Sequence, residues 1–133
     1  MYTIKEVAAE VEESEHTIRY YCKEGLFPFL TRDQTNVRKF SEADLEGVRI
    51  VLCLRDTGMP LSEIRHYMEL CAQGKSTLAE RLEIIRQQKE NAYRQMAEFQ
   101  KKIDHLEWKE QHYMELLQTG AEDDCNPLGR KEK

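Results

Sequence analysis

The chain contains 133 residues, of which 40% are hydrophobic and 34% charged, and it includes only three prolines and six glycines. This length accommodates one small domain with an appendage, and the composition favours a mainly helical protein over a β-sandwich or barrel. The sequence has neither an apolar run long enough to span a membrane nor the hydrophobic core of a secretion signal, so we expect a cytoplasmic protein with no membrane partner. The four cysteines include no Cys-x-x-Cys pair, which favours free thiols over disulfides.

Charge is unevenly distributed along the chain, whose formal net charge is −5. Residues 1–15 contain one lysine and five glutamates, whereas residues 16–40 contain five basic and two acidic side chains. A local basic face on an acidic protein can bind phosphate groups while the remaining surface limits non-specific association. Residues 16–40 are therefore the candidate region for a nucleic-acid contact.

Two short helices are predicted at the N-terminus. Thr3 and Glu6 have the spacing of a capping box, and the apolar pattern that follows predicts a helix ending near Val11. Ser14 can cap a second helix, and Gly25 can adopt the left-handed conformation that ends it. Two short helices joined by a tight turn predict a helix-turn-helix, whose second helix can enter the major groove of DNA.

The second helix has an apolar side and a polar side. Ile18 and Tyr21 are expected to pack against the first helix. Over about two turns the polar side offers hydroxyl and cationic groups that suit phosphates and base edges. These predicted DNA contacts are Thr17, Arg19, Tyr20 and Lys23.

The segment from Phe27 to Phe40 predicts a short β-hairpin, or wing, with Asn36 at a turn position. The arms of this wing carry the remaining predicted phosphate contacts, which are Arg32, Arg38 and Lys39.

Two more helices are predicted before residue 75. The first begins after Ser41 and runs to about Asp56, and the second begins at Pro60 and stops before Gly74. The earlier of the two is expected to bury Leu45, Val48, Leu52 and either Ile50 or Val51.

One long helix is predicted beyond Gly74, opened by a capping box at Thr77 and Glu80 and closed at Thr119 and Gly120. Alternating steps of four and three residues trace an apolar seam along it, with Lys89 and Glu110 as polar positions. A domain this small cannot bury such a seam, so a partner is implied, most simply a second copy. The predicted dimerisation residues are Leu78, Leu82, Ile85, Ala92, Met96, Phe99, Ile103, Leu106, Tyr113 and Leu117.

These patterns predict three parts: a winged helix-turn-helix domain with connecting helices over residues 1–75, a dimerisation helix over 76–119 and a flexible tail over 120–133. The predicted class is mainly α.

The sequence resembles MerR-family transcriptional regulators. The residues that carry the resemblance are Tyr2 to Ala8, Thr17 to Tyr21, Lys23 to Leu26, Arg32, Asn36 to Phe40 and Leu54 to Ile64. The resemblance covers residues 1–72 and extends to the long helix by architecture. It implies a homodimer joined by an antiparallel coiled coil, which binds a palindromic operator and bends and untwists the promoter spacer for RNA polymerase.

The resemblance also assigns roles to individual residues. Thr17, Arg19 and Tyr20 are implied to contact DNA from the second helix, with Arg32 and Arg38 gripping phosphates from the wing. Cys53 is similar in position to the single cysteine of the thiol- and aldehyde-responsive branch that includes AdhR and NmlR, which would make the protein a stress-response regulator. The alternative for Cys53 is a small residue buried in the core.

The same residues leave two alternative functions open. The first is a metal-responsive regulator that uses Cys71, whose spacing resembles that of a metal-ligating cysteine of the metal-sensing branch. Of the further cysteines that such a site needs, the sequence offers only the distant Cys125, so no metal and no other cofactor is predicted. A coiled-coil adaptor whose winged domain binds protein is the alternative from another class. No phosphate-binding glycine loop and no nucleophile with a partner base is present, so no enzymatic activity is predicted.

Overall fold

The computed structural model describes residues 1–30, 39–126 and 128–129. Within these residues the chain is built from five α-helices and a single 3-10 turn. In order they are α1 (Ile4–Val11), α2 (Glu15–Lys23), α3 (Glu42–Asp56), α4 (Leu61–Gln73), the 3-10 turn Lys75–Thr77 and α5 (Leu78–Thr119). The prediction of a mainly helical chain with this order of helices is confirmed. Residues 31–38 of the predicted wing, which spans Phe27 to Phe40, lie outside the described residues. The described start of this segment forms a turn, in which the Leu30 N–H donates to the Phe27 carbonyl at 3.1 Å.

Local caps determine where the first three helices begin. Thr3 accepts from the backbone N–H of Glu6, whose carboxylate accepts from the backbone N–H of Thr3, so the predicted capping box forms. Ser14 caps α2 by accepting from the N–H of Thr17, and Ser41 begins α3 in the same way. These side chains satisfy backbone donors that have no partner inside the helix.

Helices α1 to α4 pack around one hydrophobic core. Val7, Ile18, Phe40 and Val48 are fully buried there. Of the two alternatives predicted for α3, Val51 is buried and Ile50 only partly buried. Tyr2 and Phe40 form an antiparallel β-bridge, with each backbone N–H donating to the other's carbonyl. This bridge ties the start of the chain to the segment that leads into α3.

The transition from α4 into α5 differs from the predicted capping box. Thr77 lies in the 3-10 turn and is buried, and its hydroxyl bonds the carbonyls of Leu70 and Gly74 at 2.6 and 2.9 Å. Arg81 also donates to the Gly74 carbonyl at 2.9 Å. The start of α5 is therefore attached to the end of α4 through the carbonyls of Leu70 and Gly74.

Two compact units divide the chain, Met1–Ala92 and Tyr93–Lys133. In the first unit, Ile84 and Ile85 of α5 pack against the core, and Gln88 is buried. The Gln88 amide donates to the hydroxyl of Thr57 at 2.8 Å and to its carbonyl at 3.2 Å. In the second unit, α5 continues to Thr119 and ends at Gly120, which has a φ of 68°. No helix in the described part of the chain is long and apolar enough to cross a membrane.

Candidate nucleic-acid interface

Helix α2 separates its buried and exposed residues clearly. Ile18 and Tyr21 face the core, as predicted. The rest of the helix surface is exposed or partly exposed and includes Glu15, His16, Arg19, Tyr20 and Lys23. Thr17 is partly buried at the edge of this face. The structure therefore presents Arg19, Tyr20 and Lys23 together on one accessible surface.

Short-range bonds orient several side chains of this face. The Ser14 and Thr17 hydroxyl oxygens are 2.8 Å apart. Arg19 Nη2 donates to Glu15 Oε1 at 3.2 Å, one helical turn earlier. The Tyr20 ring lies 5.9 Å from the Tyr21 ring at 54°. Tyr20 is thus supported by a buried neighbour while remaining exposed.

Arg55 of α3 fixes the turn between α1 and α2. Its Nη2 donates to Glu13 Oε1 at 2.7 Å and its Nη1 to the Tyr21 hydroxyl at 3.3 Å. It also pairs with Asp56 at 2.7 Å. The bond to Glu13 is the main reason that the pKa of Arg55 is raised above its usual value, followed by the bonds to Tyr21 and Asp56. The guanidinium therefore remains charged and joins the turn before α2, α2 itself and α3.

Arg65 of α4 fixes the other end of α2. Its Nε donates to the carbonyl of Glu24 at 2.7 Å, and its Nη2 is 3.5 Å from the Glu24 carboxylate. Gly25 follows with a φ of 77°, the predicted left-handed conformation. A cation at the C-terminal end of a helix also complements its dipole. Two arginines from two different helices thus hold the exposed face of α2 in place.

The structure describes only some of the predicted wing contacts. Lys39 is exposed and stands beside Phe40, which is held by the bridge to Tyr2. Arg32 and Arg38 lie outside the described residues.

Sequence reasoning missed several residues of this region. Glu15 and His16 share the exposed face of α2 but were not among the predicted contacts. The spacing of Glu15 and Arg19, four residues apart, was a usable signal for their ion pair. Arg55 and Arg65 carried no comparable signal, because their partners are 42 and 41 residues away in the chain.

Cys53 is exposed, which contradicts the alternative that it is a buried core residue. It lines an open cavity of about 500 Å³ in the first compact unit. The other lining residues are Glu10, Val11, Glu12, Arg49, Leu52, Asp56 and Thr57. The nearby guanidinium groups are engaged, since Arg49 pairs with Glu46 at 2.5 Å and Arg55 with Glu13.

Cys71 lies half-buried near the end of α4. Cys71 is a neighbour of Tyr67. Burial is the main cause that raises the pKa of Tyr67 above its usual value, and Cys71 raises it further. Among residues 1–30, 39–126 and 128–129, no three His, Cys, Asp or Glu side chains are close enough together to hold a metal ion.

The predicted seam of α5 carries large exposed side chains in this single chain. Phe99 is 62% exposed and Leu106 is 66% exposed. Ile85 and Ala92 are partly buried within the first unit. The remaining exposed members of the seam are Leu78, Leu82, Met96, Ile103, Tyr113 and Leu117.

These features define a helix-turn-helix DNA-binding domain followed by a helix pair and a long helix. The family described as MerR HTH family regulatory protein matches residues 2–71, and the family described as MerR, DNA binding matches residues 45–109. The chain belongs to the MerR family.

Individual relatives extend this similarity over most of the chain. A helix-turn-helix transcriptional regulator of Haemophilus influenzae is 35% identical over 120 residues, which are 90% of this chain and 89% of that protein. The crystal structure of HiNmlR, a MerR family regulator lacking the sensor domain and bound to promoter DNA, gives a TM-score of 0.81 at 35% identity, covering 90% of this chain and 95% of that one. A MerR family regulator from Bacillus thuringiensis gives 0.80 at 36% identity, covering 84% and 98%.

The family membership establishes the general function. The protein is a DNA-binding transcriptional regulator and not an enzyme, as the sequence predicted. The similarity to HiNmlR agrees with the predicted branch of the family.

Proposed function

We propose that the protein acts in the cytoplasm as a homodimer that binds a palindromic operator and controls transcription by bending and untwisting the promoter for RNA polymerase. The observation that carries this proposal is the exposed face of α2. Arg19, Tyr20 and Lys23 lie there together on a helix that is fixed at both ends. In this reading Arg19 reads a base edge, Tyr20 and Thr17 contact the backbone, and Lys23 neutralises a phosphate.

The wing completes the proposed interface. Lys39 is exposed next to the bridged Phe40, so its position is fixed relative to α1 and α3. Arg32 and Arg38 are proposed to bind phosphates by the resemblance alone. HiNmlR was crystallised on promoter DNA, and the 35% identity to it supports the same mode of binding for this chain.

A second copy is the partner that we propose for the seam of α5. The exposed apolar members of the seam continue from Met96 to Leu117 with the spacing of a coiled coil. Two helix-turn-helix domains related by a two-fold axis read the two halves of a palindrome. Bending the DNA between them makes the deformability of the spacer part of the recognition.

DNA binding through α2 is tested with the full chain and a duplex taken from its own upstream region. We expect Arg19→Ala to weaken binding by about 30-fold or more, because the dimer loses one bidentate base contact in each half-site. We expect Lys23→Ala to weaken binding to all duplexes alike and to reduce the salt slope by about two, because each protomer of the dimer loses one phosphate contact. Lys101→Ala removes the same charge from α5 and is the control. Binding that does not depend on salt would contradict the proposal.

Bending is measured separately by energy transfer between dyes at the two ends of the duplex. We expect the wild type to bring the ends closer together. A saturated complex whose ends remain as far apart as in free DNA would contradict bending while leaving DNA binding intact.

Thiol sensing at Cys53 is the second part of the proposal. Its sulfur is exposed in a cavity large enough for a small electrophile. The thiol gives its proton to water, the thiolate bonds to the carbonyl carbon of an aldehyde, and the carbonyl oxygen takes up a proton. The adduct occupies the cavity between α1 and α3, so it can alter how these helices pack.

Cys125 provides an internal reference for this reaction, because it is also exposed. Purified, reduced protein is treated briefly with limiting electrophile at neutral pH, and all four cysteines are ranked by peptide mass spectrometry. We expect Cys53 to react first and Cys53→Ser to abolish the response in a promoter assay. Faster reaction at Cys125 than at Cys53 would overturn thiol sensing.

A further inference from the structure

Glu15 is the first residue of α2 and shares the exposed face with Arg19. Its Oε1 accepts a bond from Arg19 Nη2 at 3.2 Å, and the two side chains are 41% and 58% exposed. The neighbouring carboxylates are used differently, since Glu13 pairs with Arg55 and Glu24 with Arg65. The first of these pairs joins α3 to the turn before α2, and the second joins α4 to the residue that follows α2. The pair of Glu15 and Arg19 lies within one helix, so it joins no other part of the fold.

An ion pair this exposed contributes little to stability, because solvent screens the two charges and ordering them costs side-chain entropy. The main consequence of the ion pair is that it orients the Arg19 side chain. One terminal nitrogen of the guanidinium is engaged by Glu15, which restricts the rotamers of the side chain and leaves its other N–H groups available. A guanine presents two acceptors, O6 and N7, to such a group in the major groove. A side chain that is already oriented loses less freedom on binding.

The carboxylate also has an electrostatic effect. A negative charge at the start of the recognition helix repels phosphates, and phosphate contacts supply most non-specific binding. Such repulsion acts on every DNA sequence alike. Orientation of Arg19, in contrast, favours only the sequence that offers guanine at the right position. The two effects are therefore separated by comparing specific with non-specific DNA.

We propose that Glu15 is a positioning residue that sets the base preference of the protein by holding Arg19 in the orientation that reads a base edge. The proposal rests on the contact between Arg19 and DNA proposed above. It adds to that interface a residue that touches Arg19 and carries the opposite charge from the groups that bind DNA.

The test uses the full chain and a duplex that the wild type recovers from a randomised library. A scrambled duplex of the same length is the non-specific probe. The quantity measured is the ratio of the two dissociation constants, scrambled over selected. In Glu15→Gln the amide oxygen can accept only an uncharged and weaker bond from Arg19, so we expect this variant to lower the ratio by about tenfold. We expect it to change the ratio less than about twofold when Arg19 is already alanine. Glu15→Asp keeps the charge but shortens the reach, so it should lower the ratio as Glu15→Gln does.

A second selection identifies the base pair involved. We expect Glu15→Gln and Arg19→Ala to relax the preference at the same position of each half-site. A thermal melt checks that the variants fold. Glu98→Gln is the matched control, because it removes the same charge from another exposed pair, with Lys101 at 3.0 Å.

Three results would overturn the inference. Glu15→Gln could tighten binding to both duplexes equally, which is the result of repulsion alone. It could lower the ratio equally in the presence and absence of Arg19, or Glu15→Asp could keep the wild-type ratio. In each case a strong effect of Arg19→Ala would leave the proposed interface standing. If Arg19→Ala itself had no effect, the interface and this inference would both fail.

Discussion

The two compact units use their large apolar side chains in opposite ways. In Met1–Ala92, Phe40 is fully buried in the core, with its ring 6.3 Å from that of Phe27. In Tyr93–Lys133, Phe99 and Leu106 are largely exposed. The first unit therefore has a core of its own. The second presents an apolar surface that one chain does not cover, which is why its proposed role depends on a second copy.

The largest expected effect comes from placing charge on that surface. Phe99→Lys with Leu106→Lys changes four side chains in a dimer, and burial of each contributes about 1.5–3 kcal/mol. We therefore expect dimerisation to weaken by roughly 6 kcal/mol or more, which turns a dimer into a monomer at micromolar concentration. Sedimentation or light scattering measures the mass.

Trp108→Lys is the control for this variant. Trp108 is also an exposed aromatic, but nine residues from Phe99 amount to two and a half turns, so it lies on the opposite side of α5. It should leave the dimer intact. If the double-lysine variant remained a dimer, this would contradict the proposal that the seam of α5 forms the dimer interface.

Removing the same side chain from each unit sharpens the comparison. Phe40→Ala removes a fully buried ring and should reduce the free energy of unfolding by about 3–5 kcal/mol. Phe99→Ala should have an effect that grows with protein concentration, because its burial requires association. Chemical denaturation at two protein concentrations distinguishes the two. A loss at Phe40 that depended on concentration would mean that the first unit does not fold around its own core.

Substitution of Arg55 is expected to give the next largest change in the free energy of unfolding. Arg55→Met leaves the Glu13 carboxylate and the buried Tyr21 hydroxyl without this donor, and we expect a loss of about 1–3 kcal/mol, reduced by the partial exposure of the pair. Arg49→Met removes a more exposed arginine of the same helix and should change stability by less than about 0.5 kcal/mol. Urea denaturation measures both. Equal losses in the two variants would show that Arg55 is no more than a surface charge.

The part of the fold that sequence predicts is the part with local causes. The cap at Thr3 with Glu6 and the left-handed Gly25 depend on residues within four positions of each other, so their pattern is visible in the chain. The same holds for the exposed face of α2, because Ile18 and Tyr21 define the opposite side.

The remaining features require distant residues to be brought together first. Gly47 is needed because a Cβ there would lie 2.7 Å from the ring of Phe29, and nothing in the sequence relates these positions. Gln88 falls in a polar stretch of α5, yet it is buried against Thr57, 31 residues earlier. The sequence predicts that Thr77 caps α5, but its hydroxyl donates instead to the carbonyl of Leu70 near the end of α4. In each case tertiary packing, rather than local propensity, decides the partner.

The smallest expected change in stability comes from the hydrogen bond that joins the start of the chain to α3. The Tyr2 hydroxyl donates to Glu42 Oε1 at 2.5 Å, and this bond is the main cause of a raised pKa for Tyr2. A pKa raised by folding means that the bond contributes below the ordinary tyrosine value of about 10 and that its contribution is lost as the pH rises through the folded value. We expect Tyr2→Phe to melt about 1–3 °C below the wild type at pH 8, with the gap closing above pH ~10.

Glu42→Gln distinguishes the charge from the hydrogen bond in this pair. The amide oxygen still accepts from the phenol, but the repulsion between carboxylate and phenolate disappears. The wild type should therefore lose more stability than Glu42→Gln between pH ~9 and ~11, although both retain the backbone bridge between Tyr2 and Phe40. Melting curves across this range give the comparison. If the gap between Tyr2→Phe and the wild type stayed constant with pH, the hydroxyl would be contributing through packing and not through its proton.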